Sequence, residues 1–334
     1  MFGAAQARVR SEAYGELASM LHAGVTIGES ATAVAEEMRP SPLRDALLEA
    51  GHKAAHGSSL AEAMRGRPTV FSPLTVAMVE VGERAGRLEE SLQLIADYYE
   101  QDFELRHLLT RELAYPIVLF AGIIFIPLIG QFILIWITAT LAEAVVTAAV
   151  RLLLILLVVG VPLGIILLIM HQASQSEQGR LALDRAKLRI PIIGGVVRKL
   201  AVARFCRALA SLYSSGVMMG TSVELAGEAA GNEAVRRELQ PAVRKLEEGQ
   251  RLSEALSESS LMPSTVLTML KTGERTGDID GMAQNVANHL QREAETSVKQ
   301  LAVTLAPIAV IIAGVIVALM LLSFYTGYAG TVMQ

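Results

Sequence analysis

The stretch VGERAG at positions 81–86 returns as TGERTG at positions 272–277. An upstream stretch repeats in the same order, since LASMLHAGV at positions 17–25 returns as LASLYSSGV at positions 209–217. The two copies are separated by 191 residues at the first pair and by 192 at the second. Self-similarity at a nearly constant offset indicates two copies of one structural unit. We refer to them as copy one and copy two.

The composition indicates that one part of the chain lies in a membrane and another part in water. Hydrophobic residues make up 52% and charged residues 19% of the 334 residues, and the mean hydropathy is +0.43. This chain is too apolar for an ordinary soluble protein and too charged for one buried wholly in lipid. The net charge of −4 gives no general attraction to nucleic acid, so we expect no nucleic-acid partner.

Three stretches have the length and apolarity, by sequence, to cross a bilayer. No Asp, Glu, Lys or Arg occurs at 113–142, 152–170 or 300–334, and a membrane helix needs about 20 apolar residues. We therefore predict seven parts: a cytoplasmic helical bundle at 1–112, a transmembrane helix at 113–140, a short external hairpin at 141–151, a transmembrane helix at 152–171, a second cytoplasmic bundle at 172–299, a transmembrane helix at 300–323 and a short external tail at 324–334.

The distribution of basic residues predicts the orientation of these parts. Basic residues gather between the second and third apolar stretches, whereas the hairpin carries only Arg151, with Glu143 against it. Positively charged loops stay on the cytoplasmic side, so both bundles should be cytoplasmic and the C-terminus external. The apolar stretch at 152–171 has no counterpart in the repeat and returns the chain to the cytoplasmic side. The apolar stretches contain no ionisable carrier for a proton or ion pathway.

Apolar residues recur at helical spacing in both copies. Leu17, Met20 and Leu21 follow intervals of three and four residues, and no alternating strand pattern occurs. Gly24 and Gly216 are placed to end the first helix of each copy. The sequence therefore predicts an all-α fold with two repeated bundles of about six helices each and three transmembrane helices.

A long helix is expected to lead to a proline in each copy. The segment from Leu88 to Tyr115 reads as one helix of about 40 Å before Pro116, at about 1.5 Å per residue. The segment before Pro307 repeats it. Both prolines are candidate kinks at the point of membrane entry, through which a bundle could tilt its membrane helix. The alternative is that they only begin the membrane helices.

The repeated Gly-Glu-Arg-x-Gly motif has two compatible interpretations. In the structural one, the glycines allow close helix approach and a tight turn between two helices. These turn glycines are Gly82, Gly86, Gly273 and Gly277. In the functional one, four charged residues lie at an exposed corner and contact a partner. These candidate contact residues are Glu83, Arg84, Glu274 and Arg275.

Patterns for catalysis, metals and cofactors are missing. His52 and His56 have the spacing of a helical metal pair, but the motif has no third ligand and no general-base Glu. The phosphate-binding loop, the nucleophile elbow and the Cys-x-x-Cys pair are absent from the sequence. The single cysteine, Cys206, is expected to be a buried apolar residue. We therefore expect no enzyme activity, no catalytic residue, no metal and no cofactor.

The ordered motifs resemble the type II secretion F domain. They are Leu-x-x-Leu/Met-Leu/Tyr-x-x-Gly-Val, Gly-x-x-Leu-x-x-Ala-Leu/Met, Phe/Leu-x-Pro and Gly-Glu-x-x-Gly-x-Leu/Ile, followed by an apolar helix, and the whole set occurs twice. Each motif alone is weak, but the ordered set is specific. Two such domains with three membrane helices are similar to the GspF/PilC inner-membrane platform proteins of type II secretion systems and type IV pili.

The resemblance implies a function that the residues alone do not supply. Proteins of this family link a cytoplasmic hexameric assembly ATPase to pilin or pseudopilin subunits that enter a growing fibre. It also implies a homo-oligomer, dimeric or higher, in contact with membrane lipid and other inner-membrane assembly proteins. The rival expectations are a passive membrane scaffold or receptor and a small-solute transporter.

Overall fold

A computed structural model of the chain describes residues 2–138, 176–190 and 193–332, together with isolated positions within 146–172. Every regular element in these ranges is a helix, which confirms the all-α class. The predicted hairpin at 141–151 and the predicted second membrane helix at 152–171 lie outside the described residues, apart from those isolated positions. In the described part of the chain, no helix combines the length and the apolarity needed to cross a bilayer. The three transmembrane helices stay a prediction.

In the described residues, copy one consists of five shorter helices and one long one. The helices are α1 (Phe2–His22), α2 (Ile27–Glu37), α3 (Pro42–Ala55), α4 (Leu60–Arg65), α5 (Pro73–Ala85) and α6 (Leu88–Thr138). A separate helix, α7 (Glu177–Arg189), precedes copy two.

Copy two has the same order. Its helices are α8 (Ile193–Ser214), α9 (Met219–Ala229), α10 (Glu233–Glu247), α11 (Leu252–Leu256), α12 (Ser264–Thr276) and α13 (Ile279–Val332). Each copy therefore contains six helices in its described residues, as the sequence predicted.

Short polar residues and glycines set the ends of these helices. Ser41, Ser59 and Ser72 occupy the N-cap positions of α3, α4 and α5, and each side chain accepts a hydrogen bond from a backbone N–H three residues later. Gly24 and Gly216 follow α1 and α8 with φ angles of 85° and 86°. Glycine adopts this left-handed conformation without strain, so each first helix ends at the expected place.

The two copies share one core. Their buried apolar side chains form a single continuous cluster. The chain divides into two compact units, of which the first combines Met1–Leu108 with Asp184–Glu295 and so contains the shorter helices of both copies. The second unit combines Leu109–Leu183 with Thr296–Gln334 and contains the apolar parts of α6 and α13. All contacts between copies described below lie in the first unit.

The long helices α6 and α13 continue past Pro116 and Pro307. Position 116 lies inside α6, and Pro307 lies inside α13. Proline has no backbone N–H, so a helix that contains it lacks one hydrogen bond at that turn. Neither helix ends at its proline, and the kink function of Pro116 and Pro307 stays a prediction.

Candidate partner-contact sites

The first Gly-Glu-Arg-x-Gly motif forms the corner between α5 and α6. A Cβ atom on Gly82 would lie 2.7 Å from the Cβ of Ser91, which is too close for any residue other than glycine. Gly86 has a φ angle of 68° and ends α5, and its N–H bonds back to carbonyl groups in the last turn. The two glycines therefore allow α6 to start directly against the end of α5.

The second motif forms the same corner between α12 and α13. A Cβ atom on Gly273 would lie 2.7 Å from the backbone oxygen of Asp278 and 3.0 Å from Met282. Gly277 ends α12 with a φ angle of 79°. In both motifs, the first glycine allows two helices to approach closely. The second glycine ends a helix in the left-handed conformation.

The motif glutamates are half-buried and form hydrogen bonds within their own bundles. Oε1 of Glu83 accepts a hydrogen bond from the N–H of Leu60 at 2.6 Å, and Oε2 accepts one from the N–H of Ala61 at 3.1 Å. These amides begin α4, where the helix leaves its first N–H groups without internal partners. A carboxylate at a helix N-terminus is also favoured by the helix dipole. Glu83 therefore connects the end of α5 to the start of α4.

Glu274 repeats this connection in copy two. Its Oε2 accepts hydrogen bonds from the N–H of Ser253, at 3.3 Å, and from the Ser253 hydroxyl. Ser253 lies in the first turn of α11, the counterpart of α4. Both motif glutamates thus support the helix that precedes their own.

The motif arginines face solvent. Arg84 has a side chain 77% exposed and pairs with Glu80, which also accepts a hydrogen bond from Arg65 at 2.6 Å. Arg275 is exposed, and its side chain forms no ion pair or hydrogen bond with the described residues. Lys271 of copy two stands where copy one has Glu80. Arg84 and Arg275 are therefore the motif side chains that are accessible to a partner.

Sequence reasoning missed the contact between the copies. Helix α5 of copy one packs against α8 and α9 of copy two. A Cβ atom on Gly216 would lie 3.6 Å from Cγ1 of Val81. Nε2 of Gln284 on α13 donates a hydrogen bond to Oε1 of Gln101 on α6 at 3.0 Å. Copy two therefore receives both α5 and α6 of copy one.

Charged side chains lie within this contact. Oδ2 of Asp102 on α6 accepts a hydrogen bond from Nε of Arg106 at 2.7 Å, and Oδ1 lies 3.9 Å from Nε of Arg204 on α8. Burial lowers the pKa of the Arg204 guanidinium, and the charge of Asp102 opposes this change. Asp102 is therefore the acidic group that offsets the basic side chains at this interface.

Arg207 is the most deeply buried charged residue of the described chain, with 2% of its surface exposed. Its Nη2 donates a hydrogen bond to Gln291 on α13, whereas Nε and Nη1 have no partner among the described residues. Burial lowers the pKa of Arg207, and the neighbouring Tyr98 and Asp102 counteract it. Burial also raises the pKa of Tyr98. Burying the Arg207 guanidinium therefore costs solvation free energy.

The sequence contained a signal for this site. Arg207 interrupts an otherwise apolar segment of α8, whereas copy one has Gly15 at the equivalent position. A Cβ atom on Gly15 would lie 3.8 Å from the Cβ of Ala96, an ordinary van der Waals distance between α1 and α6. The adjacent Cys206 is fully buried, as predicted, and burial raises the pKa of its thiol to about 12.

The histidine pair of α3 shows no metal geometry. Nδ1 of His56 lies 2.7 Å from the backbone oxygen of His52, so the ring turns back to its own helix. Across the described ranges, no group of three or more His, Cys, Asp or Glu side chains is arranged to hold a metal ion.

Comparison with known proteins bears on both copies. The family model described as "Type II secretion system (T2SS), protein F" matches the chain twice, at residues 13–135 and 205–327. Both matches include the Gly-Glu-Arg-x-Gly corner and the start of the long helix.

Individual relatives are similar over most of their length. The "Type II secretion system protein F" of Aeromonas hydrophila is 33% identical over 301 residues, which cover 85% of this chain and 76% of the relative. The "Type IV pilus assembly protein PilC" of Thermus thermophilus is 30% identical over 325 residues, covering 93% and 79%. The PilC protein of Pseudomonas aeruginosa is 27% identical over 322 residues, covering 93% and 86%. The chain therefore belongs to the type II secretion system protein F family and carries the family's domain twice.

Proposed function

We propose that this chain is an inner-membrane platform protein of a type II secretion system or a type IV pilus. In this role it couples a cytoplasmic hexameric ATPase to the insertion of pilin or pseudopilin subunits into a fibre. The observation that supports the proposal most directly is the tandem family domain, in which each bundle leads through a long helix into an apolar stretch. The relatives' names, which refer to secretion and to pilus assembly, agree with it.

The proposed topology follows the sequence. Three apolar segments, at 113–140, 152–171 and 300–323, span the membrane. Both bundles are cytoplasmic, the C-terminus is external, and the chain assembles as a dimer or a higher homo-oligomer. The support for this topology is the excess of Lys and Arg beside the apolar segments on one side. The chain itself has no enzymatic role in this proposal and transmits work done by the motor.

The proposed contacts with the motor lie at the two motif corners. Arg84 and Arg275 are exposed, so they are the stronger candidates for direct contact. Glu83 and Glu274 act in this proposal by holding the corners rigid, because their carboxylates bond to neighbouring helices. Movement of a bundle reaches the membrane along α6 and α13, and the prolines at 116 and 307 are the proposed joints.

The test uses the full chain reconstituted in lipid vesicles with the hexameric assembly ATPase of the same organism. We expect the chain to bind the motor and to increase its rate of ATP hydrolysis. The double variant Arg84→Glu/Arg275→Glu should weaken binding about tenfold, since it places acidic groups where basic ones are proposed to pair. The matched control is Arg39→Glu/Arg185→Glu, which makes the same charge change at exposed positions outside the motif corners.

Each outcome has a distinct meaning. Binding without a change in ATP hydrolysis, and with normal fibre assembly in cells that carry the double variant, would favour the passive scaffold. Uptake of a small solute by vesicles that contain only this chain would favour the transporter. Wild-type fibre assembly by the Pro116→Ala/Pro307→Ala variant would exclude the joints while leaving the platform role intact.

A further inference from the structure

In copy two, one stripe of α8 faces copy one. Arg204, Ala208 and Leu212 recur every four residues and so share one face of this helix, and Gly216, two residues past its end, continues the stripe. The stripe meets copy one at both ends, because Arg204 lies beside Asp102 of α6 and Gly216 lies beside Val81 of α5. Ala208 and Leu212, between these ends, are fully buried. This face of the repeated unit therefore receives a pair of helices.

Among the described residues, the equivalent positions of copy one are more exposed, with Met20 half-buried at the edge of the core. These positions are Glu12, Glu16, Met20 and Gly24, each 192 residues before its counterpart, and we name them the α1 face. The Glu12 side chain is 55% exposed, and Glu16 is exposed as well. A Cβ atom on Gly24 would have no heavy atom within 4 Å among the described residues, in contrast to Gly216.

The charge of the α1 face is reversed relative to α8. Glu12 replaces Arg204, and Glu16 replaces Ala208. Burial, followed by the charges of Glu37 and Glu12, raises the pKa of Glu16, which indicates crowded acidic groups. Arg8 pairs with Glu12 in an exposed contact of the kind that contributes little energy. A docked surface that complements this face must therefore carry positive charge.

A second copy of this chain does not meet that requirement. The chain's own counterpart of Asp102 is Glu293 on α13, at the offset of 191 residues. A hydrogen bond from Lys199 lowers the pKa of Glu293, so this carboxylate stays negative at neutral pH. A second chain that repeated the contact between the copies would place Glu293 against Glu12. Like charges placed together at an interface oppose association.

We propose that the α1 face docks a helical segment of another protein that presents Lys or Arg side chains to Glu12 and Glu16. The segment occupies the place that α5 and α6 of copy one occupy on copy two. Its apolar side chains cover Met20, and its backbone approaches Gly24 closely. The inference rests on the packing of the two copies and does not require the platform role.

The test places a photo-crosslinking amino acid at Met20 in the full chain, expressed in its native membranes. Illumination should join this position to another protein, and mass spectrometry should locate the crosslink in a helical segment rich in Lys or Arg. The variant Glu12→Lys/Glu16→Lys should reduce the crosslinked product about tenfold, because it converts attraction into repulsion. Raising the salt concentration should reduce it as well, since exposed charges are screened.

The controls separate docking from folding. Glu224→Lys/Glu248→Lys makes the same charge change at exposed positions of copy two and should leave the crosslink intact. A crosslinker at His22, which is exposed and lies two positions after Met20 on another face of α1, should not give the same product. Thermal unfolding of Glu12→Lys/Glu16→Lys should match the wild type, because these positions are outside the core.

Three results would overturn the inference. A crosslink to a second copy of this chain would assign the α1 face to self-association. A crosslink that survives Glu12→Lys/Glu16→Lys would remove the electrostatic basis. No crosslink from Met20 in membranes where the fibre assembles would show that the face stays open. Motor binding is measured separately, so failure here is distinguishable from failure of the platform proposal.

Discussion

Oε1 of Glu83 accepts a hydrogen bond from the backbone N–H of Leu60 at 2.6 Å, across 23 positions of sequence. This bond joins the last turn of α5 to the first turn of α4. Among the described residues, the side chain of the adjacent Arg84 makes one contact, an exposed ion pair with Glu80. Glu83 therefore forms contacts within the bundle, whereas the neighbouring Arg84 lies at the bundle surface.

Glu83→Ala should lower the free energy of unfolding by about 1.5–3 kcal/mol, the range for hydrogen bonds that involve a charged group. Arg84→Ala should lower it by about 0.5 kcal/mol, as expected for an exposed ion pair. Denaturant unfolding of the full chain in detergent, followed by circular dichroism, measures both values. Equal losses in the two variants would contradict the internal role of Glu83.

Gly82→Ala should be destabilising because the new methyl group overlaps Ser91. Overpacking of this kind costs about 1–3 kcal/mol. Adding Ser91→Gly removes the overlapping atoms and should recover part of the loss in the midpoint of thermal unfolding. Gly273→Ala should have no such rescue, because its nearest neighbour is the backbone oxygen of Asp278. An unchanged midpoint for Gly82→Ala would show that the α5–α6 corner adjusts freely.

Asp102→Ala should cost about 3 kcal/mol, because it removes the acidic partner of buried basic groups. Arg207→Met should be neutral or stabilising, since an apolar side chain of similar length replaces a guanidinium with two unpartnered nitrogen atoms. Calorimetric unfolding of both variants provides the comparison. Glu100→Ala, at an exposed position on the same helix, is the matched control. A larger loss of unfolding free energy for Arg207→Met than for Asp102→Ala would contradict the account of Asp102 as the stabilising acidic partner.

Glu233→Gln should reduce stability at pH 7 and have little effect in strong acid. The hydrogen bond from Arg236 is the main cause that lowers the pKa of Glu233 below its ordinary value of 4.5. A carboxylate with a lowered pKa contributes its full stabilisation above the pKa of the unfolded chain, and this contribution disappears as the pH falls through the folded-state pKa. Thermal unfolding between pH 7 and pH 2.5 measures the change. A difference between variant and wild type that grows in acid would contradict this account.

Helix periodicity and turn residues were readable along the chain because they depend on neighbours in sequence. Gly24 and Gly216 end the first helices where a left-handed residue is needed, and Pro73 is the first residue of α5, a position where proline is tolerated. Pro263 is the N-cap of α12. It therefore lies one position earlier relative to its helix than Pro73 does in α5. Local rules therefore determined the order of the helices, and small differences between the copies moved their ends by a residue.

The partners of the motif glutamates were not readable from the sequence. Glu83 and Glu274 lie more than 20 positions after the amides that they contact, and only the packing of α4 against α5 and of α11 against α12 brings these groups together. The spacing of the motif fits equally well with glutamates exposed at a corner and with glutamates bonded to a neighbouring helix. Tertiary contacts decided between them for each side chain.

The sequence by itself determined that this protein is a duplicated all-helical unit with long apolar segments, because repetition, helical periodicity and hydrophobicity are properties of the linear chain. Only the tertiary structure decided that α5 and α6 of copy one pack on α8 and α9 of copy two, and that Glu12, Glu16 and Gly24 at the equivalent positions stay exposed among the described residues. The physical reason is that equivalent helices of the two copies bind or stay exposed according to substitutions between the copies, such as Glu12 for Arg204. The effect of these substitutions depends on the groups that face them in space.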